Sequence, residues 1–122
     1  MNYLAIFIGG GIGSLLRFGV SNLALKFYKG NFPLGTLLSN LIACMILGGF
    51  LLFISNKPSI QLWQKQFILV GICGGFSTFS TFSFETIKLI KSGNYIIGLA
   101  NILVSVIVAF SIMYALLKNY EA

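Results

Sequence analysis

The sequence predicts an all-α membrane protein of four transmembrane helices, with the third helix broken in mid-membrane. Three observations carry that prediction. Of the 122 residues, 57% are hydrophobic and 8% are charged, with a mean hydropathy of +0.96; a soluble domain carries about 25% charged residues. Four apolar runs, 3–25, 34–55, 67–87 and 95–117, reach the roughly 20 residues that a helix needs to cross the hydrocarbon core. The third run carries Gly74-Gly75 and then hydroxyls at five of the seven positions from Ser77 to Ser83. Glycine is a poor helix interior, and Ser and Thr compete locally for backbone hydrogen bonds.

Helices are required, because lipid leaves open backbone groups unsatisfied and four spans cannot close a barrel. The connectors KFYKGNFP (26–33), NKPS (56–59) and KSGN (91–94) are too short to hold a further unit, and their Pro, Gly and Asn read as turns. One domain, 1–122, is expected.

The first run begins MNYLAIF, with no basic residue before Arg17. That is unlike a cleaved signal peptide, so the run is expected to persist as a span. Gly9 and Gly13 are four residues apart, as are Gly71 and Gly75, a spacing that lets helices approach closely. GGGIG at 9–13 follows no strand and precedes no acidic partner, so it does not read as a nucleotide-binding loop. Arg17 lies inside the apolar run, nine residues before Lys26. At that depth a charge costs about 3 kcal/mol on insertion scales unless it meets water or an anion. It either snorkels to the headgroups or sits in a wet vestibule that concentrates anions.

The second run opens with Pro33, suited to a first helical turn. Thr36 and Asn40 are four apart and share a helical face. Asn40 serves either as interhelical glue or as an amide donor to a passing solute. Cys44 and Cys73 both lie in apolar runs and read as buried packers. In the third run, a break in mid-membrane survives only buried in protein or lining a cavity. Its freed carbonyls suit a small hard cation such as sodium. Beyond it, FSTFSTF has a period of three, or about 300° of helical turn. Phe79 and Phe82 then stand about 60° apart, one turn along, beside the hydroxyls of Ser80 and Thr81. The stripe is either packed core or a path on which positive ring edges meet a small anion. Glu85 either faces the interface near Lys88, or gates the path or relays a proton. In the last run, Asn101 and Ser105 repeat the four-residue spacing.

With four spans, Lys57, Lys65 and Lys118 share one membrane side and Lys26, Lys29, Lys88 and Lys91 the other. Three lysines against four is almost no bias, and such bias normally fixes orientation. An antiparallel, dual-topology homodimer is expected, with a single fixed orientation as the plainer alternative. In the inverted dimer, both breaks approach one two-fold axis. The chain has no His and no Asp, and its two acids are Glu85 and Glu121. That removes most hydrolytic triads, carboxylate dyads and His-based metal sites, and no enzyme is expected. The net charge of +6 is spread over span ends. It suits lipid headgroups or an anionic solute rather than nucleic acid.

GICGGFSTFSTFSFE, supported by GGGIGSLLRF and FPLGTLLSNLIACMILG, resembles the Fluc (CrcB) family of fluoride channels over essentially the whole chain. The resemblance implies an antiparallel homodimer in the cell membrane, with two fluoride pores and one central structural sodium. It implies that Gly74 and Ser77 offer backbone oxygens to that sodium, and that Phe79 and Phe82 are the pore phenylalanines. Asn40 would be the pore amide, Ser80 and Thr81 the hydroxyl track, Arg17 the vestibule arginine, and Glu85 the acidic residue after the motif. Ser77 departs from the threonine of many relatives; a main-chain contact would tolerate that. Fluoride enters this reading only through the resemblance. The competing readings are a proton-coupled small multidrug exporter and an assembly subunit. The first requires a membrane carboxylate where this first span has Arg17; the second leaves the hydroxyls and the break without a purpose.

Overall fold

A computed structural model describes residues 2–55, 57 and 59–118. Asn56 and Pro58 of the second connector, and Glu121, lie outside the described residues. All regular structure among the described residues is helical, in the order α1 (Asn2–Phe27), α2 (Leu34–Ser55), α3 (Leu62–Lys65), a π-helical stretch (Gln66–Ile72), α4 (Cys73–Phe76), α5 (Phe79–Lys91) and α6 (Tyr95–Leu117). Four stretches are long and apolar enough to span a membrane: α1, α2, 62–91 as one broken span, and α6. The chain is a multi-pass membrane protein.

The second and fourth spans have the bounds their sequence pattern predicts. The third is longer than the apolar run 67–87, with 30 residues from Leu62 to Lys91. Its start is set by side-chain contacts that hydropathy does not weigh. The Gln61 N–H donates to Gln64 Oε1 at 3.1 Å, and Trp63 Nε1 donates to Gln61 Oε1 at 2.7 Å. The seven π-helical residues, with their wider i→i+5 bonding, were not predicted. At the far end, Gly93 takes a left-handed φ of +93°. Gly93 N–H then reaches the Ile90 carbonyl and Asn94 N–H the Leu89 carbonyl, closing α5 with a Schellman turn.

The break lies at Ser77 and Thr78, not at Gly74-Gly75. Ser77 has φ −89°, ψ 151°, and Thr78 has φ −151°, ψ 122°, whereas both glycines are helical within α4. The glycines serve contact instead. A methyl group on Gly75 would collide with the Gly10 carbonyl, and one on Gly13 with the Ile72 carbonyl. A methyl on Gly71 would sit 2.9 Å from the Gly9 Cα. α1 thereby packs backbone to backbone along the π-helical stretch and α4, as small residues permit in lipid. α2 lies against α1 and α6, and α5 docks on α6.

Burial is sparse and inverted relative to a soluble core. Large apolar side chains such as Tyr3, Phe7, Phe18 and Phe110 are exposed, while the largest fully buried ones are Asn101 and Ser39. Lipid tails are as apolar as leucine, so apolar surface faces outward at little cost and the hydrogen-bonding groups turn inward.

Candidate functional site

The break, α2, α5 and α6 together line a groove of about 330 Å³, walled by Asn40, Cys44, Ser77, Thr78, Phe79, Phe82, Ser105, Val106, Ala109 and Phe110. Its geometry starts from one diverted hydrogen bond. In a continuous helix, Thr78 N–H would bond the carbonyl four residues back, on Gly74. Here it donates instead to Asn40 Oδ1 at 3.0 Å. The diversion has two results. The Gly74 carbonyl loses its helical partner, and the Asn40 amide is oriented with its oxygen toward the break. The NH2 of Asn40 makes no side-chain hydrogen bond among the described residues and remains available to the groove its residue lines.

Local caps hold the break open. Ser77 N–H and Ser77 Oγ both donate to the Cys73 carbonyl, at 3.0 and 2.9 Å. Thr78 is the N-cap of α5, accepting Thr81 N–H at 3.3 Å, as a threonine at that position commonly does. The partial positive charge of the α5 N-terminus therefore meets the groove. Phe79 and Phe82 lie on its wall with ring centroids 5.8 Å apart and planes at 41°. Phe79 is 78% exposed on the single chain.

The remaining sequence-singled residues fall in different places. Ser105 of α6 lines the groove. Ser80 and Thr81 do not: their hydroxyls gather on Thr78 Oγ1, at 3.2 and 3.3 Å, as a cluster at the α5 N-terminus rather than a winding track. Arg17 is half-buried, and its Nε donates to the Gly75 carbonyl at 3.3 Å. It thus compensates one carbonyl at the C-terminal end of α4, where cations are favoured. Thr36 and Asn40 share a face by periodicity, yet Thr36 is buried beside a separate hollow with Ser21, Tyr28 and Glu85. One Glu85 oxygen is buried without a hydrogen-bond partner among the described residues, Lys88 included. Gly74 is exposed, with open space where a methyl would stand.

Sequence reasoning missed four things here: the role of Thr78, the apolar walls Cys44, Val106 and Ala109, the aromatic Phe110, and a buried bond from Asn101 Nδ2 to Thr86 Oγ1 at 2.9 Å. The signal for the last was present as Asn101 and Ser105 at helical spacing, without any sign of their partner.

The chain matches a family described as "CrcB-like protein, Camphor Resistance (CrcB)" over residues 4–116. It is similar to three curated relatives, each named "Fluoride-specific ion channel FluC". The protein of Coxiella burnetii (strain CbuK_Q154) is 44% identical over 108 residues, covering 87% of this chain and 86% of the relative. That of Pyrococcus abyssi is 44% identical over 113 residues, covering 91% and 89%. That of Clostridium perfringens (strain ATCC 13124) is 39% identical over 102 residues, covering 84% and 80%.

Proposed function

The chain belongs to the CrcB family, and from that premise we propose that it is a fluoride-specific channel. The observation that carries the proposal is the groove at the helix break. There the Asn40 amide, the rings of Phe79 and Phe82 and the Ser105 hydroxyl face one space. Fluoride is small and strongly hydrated, so a path for it must replace lost water. The Asn40 amide, positive ring edges and the α5 N-terminus supply that replacement without any fixed cation on the groove wall. Weak neutral donors also let the ion leave again, as conduction demands. Arg17 lies behind the break and raises the local anion concentration. Flux is passive: fluoride that enters as HF from acid surroundings leaves a neutral cytoplasm as the anion.

The working unit is an antiparallel homodimer with two such paths. The near-equal lysine counts on the two membrane sides and the exposed, open Gly74 support this arrangement. A structural sodium fits the break. The Gly74 carbonyl has lost its helical donor to Asn40, and Ser77 lies in extended backbone, so their oxygens would hold the ion together with the same pair of a second copy. Carbonyl oxygens are suitable ligands for such a cation; it would supply charge that neutralises converging carbonyls and joins the two copies. The exporter reading lacks a carboxylate in the first span.

The decisive experiment is fluoride efflux from liposomes containing the purified protein, read with a fluoride electrode beside a chloride control. Fast fluoride release with little chloride release is expected. Silence from a well-folded protein would overturn the channel assignment.

A further inference from the structure

A hydrogen-bond chain, buried at its centre, runs from the Phe82 carbonyl to a hydroxyl on the groove. Thr86 Oγ1 donates to the Phe82 carbonyl at 2.8 Å. Asn101 Nδ2 donates to Thr86 Oγ1 at 2.9 Å. Ser105 Oγ donates to Asn101 Oδ1 at 3.3 Å. Asn101 is 1% exposed and Thr86 4%, so neither touches the path, but Ser105 lines it.

The direction of the chain follows from counting protons. Thr86 has one hydroxyl proton, and it goes to the Phe82 carbonyl. Only the NH2 end of Asn101 then serves the Thr86 lone pair, which aims the amide oxygen at Ser105. An amide oxygen only accepts. Ser105 therefore turns its single proton inward and presents a lone pair to the groove, the wrong polarity for an anion. To donate to fluoride, the hydroxyl must rotate and leave Asn101 Oδ1 buried without a donor.

Resting on the channel reading above, we propose that Asn101 is a positioning residue that sets the groove's affinity for fluoride by holding the Ser105 proton. Each arriving anion competes with Asn101 for that proton. The competition weakens binding and speeds release, which keeps a narrow path conducting. Thr86 takes part indirectly, since it fixes which end of the amide faces Ser105.

The test uses the full-length protein in liposomes and reads initial fluoride efflux against fluoride concentration. Asn101→Leu removes the competing oxygen. Thr86→Val, close in shape, removes the lock on the amide, so that Asn101 can turn its NH2 toward Ser105 and release the proton. Both variants are expected to lower the half-saturating fluoride concentration roughly three- to tenfold, the scale of one net hydrogen bond or slightly more, with a lower maximal rate. In a Ser105→Ala background the same substitutions should shift it by less than about twofold, because the proton at issue is gone. A purely structural role predicts slower flux in both backgrounds and no tightening. Equal shifts with and without Ser105, or no tightening in either variant, would overturn the inference while a conducting parent protein leaves the channel reading intact. Should Asn101→Leu not fold, Thr86→Val carries the test alone. A silent parent protein removes both readings.

Discussion

On the proposed channel reading Asn40 joins stability and conduction in one side chain, and two substitutions separate them. Its oxygen accepts Thr78 N–H at 3.0 Å, while its NH2 is left for the groove. Asn40→Leu removes both functions. A part-buried backbone N–H left without an acceptor is worth about 1–3 kcal/mol, so the leucine variant should melt at lower temperature and conduct poorly. Asn40→Asp keeps an acceptor for Thr78 and replaces the donors with a negative charge. A carboxylate about 4 Å from an anion at an effective dielectric of 20 opposes it by about 4 kcal/mol, or roughly a thousandfold in occupancy. The aspartate variant should therefore keep the Thr78 acceptor and lose nearly all fluoride efflux. Protonation restores a neutral donor, so its efflux should rise as pH falls. The assays are thermal melting in detergent and electrode-monitored efflux at several pH values. Parent-like efflux by Asn40→Asp at neutral pH would refute the placement of the amide in the path. Parent-like melting of Asn40→Leu would refute its part in holding the break.

Phe79→Ile or Phe82→Ile preserves bulk and removes the positive ring edge; efflux should fall by about tenfold, the scale of an aromatic edge contact, and unchanged rates in both would assign the stripe to packing. Gly75→Ala drives a methyl into the Gly10 backbone and should destabilise by about 1–3 kcal/mol. Gly11→Ala, with open space around it, should leave melting unchanged or raised; equal melting of the two would deny the backbone contact. A single Asn2→Cys, in a chain with Cys44→Ala and Cys73→Ala, should react with an impermeant thiol reagent from both membrane sides, and one-sided labelling would fix a single orientation. If sodium holds the break as proposed, transfer from sodium to a large organic cation should lower the protein's melting temperature, whereas an indifferent transition would refute that proposal.

Hydrophobic content alone determined the class of this protein, four spanning helices, because crossing lipid demands about 20 apolar residues each time whatever they pack against. The FSTFSTF period also placed Phe79 and Phe82 on neighbouring faces, since that follows from helical geometry alone. The position of the break did not follow. Gly74 and Gly75 look like helix breakers in isolation, but both are helical, and Gly75 packs against the α1 backbone at Gly10. Ser77 and Thr78 leave the helix because Asn40, 38 positions earlier, takes the N–H of Thr78. Likewise, periodicity puts Thr36 with Asn40, yet packing sends them to different hollows. Asn101 finds Thr86 only when α5 docks on α6. Local propensity reads each residue against its chain neighbours. A hydrogen bond between spans depends on which helices become adjacent and in what register, and only the tertiary structure decided that.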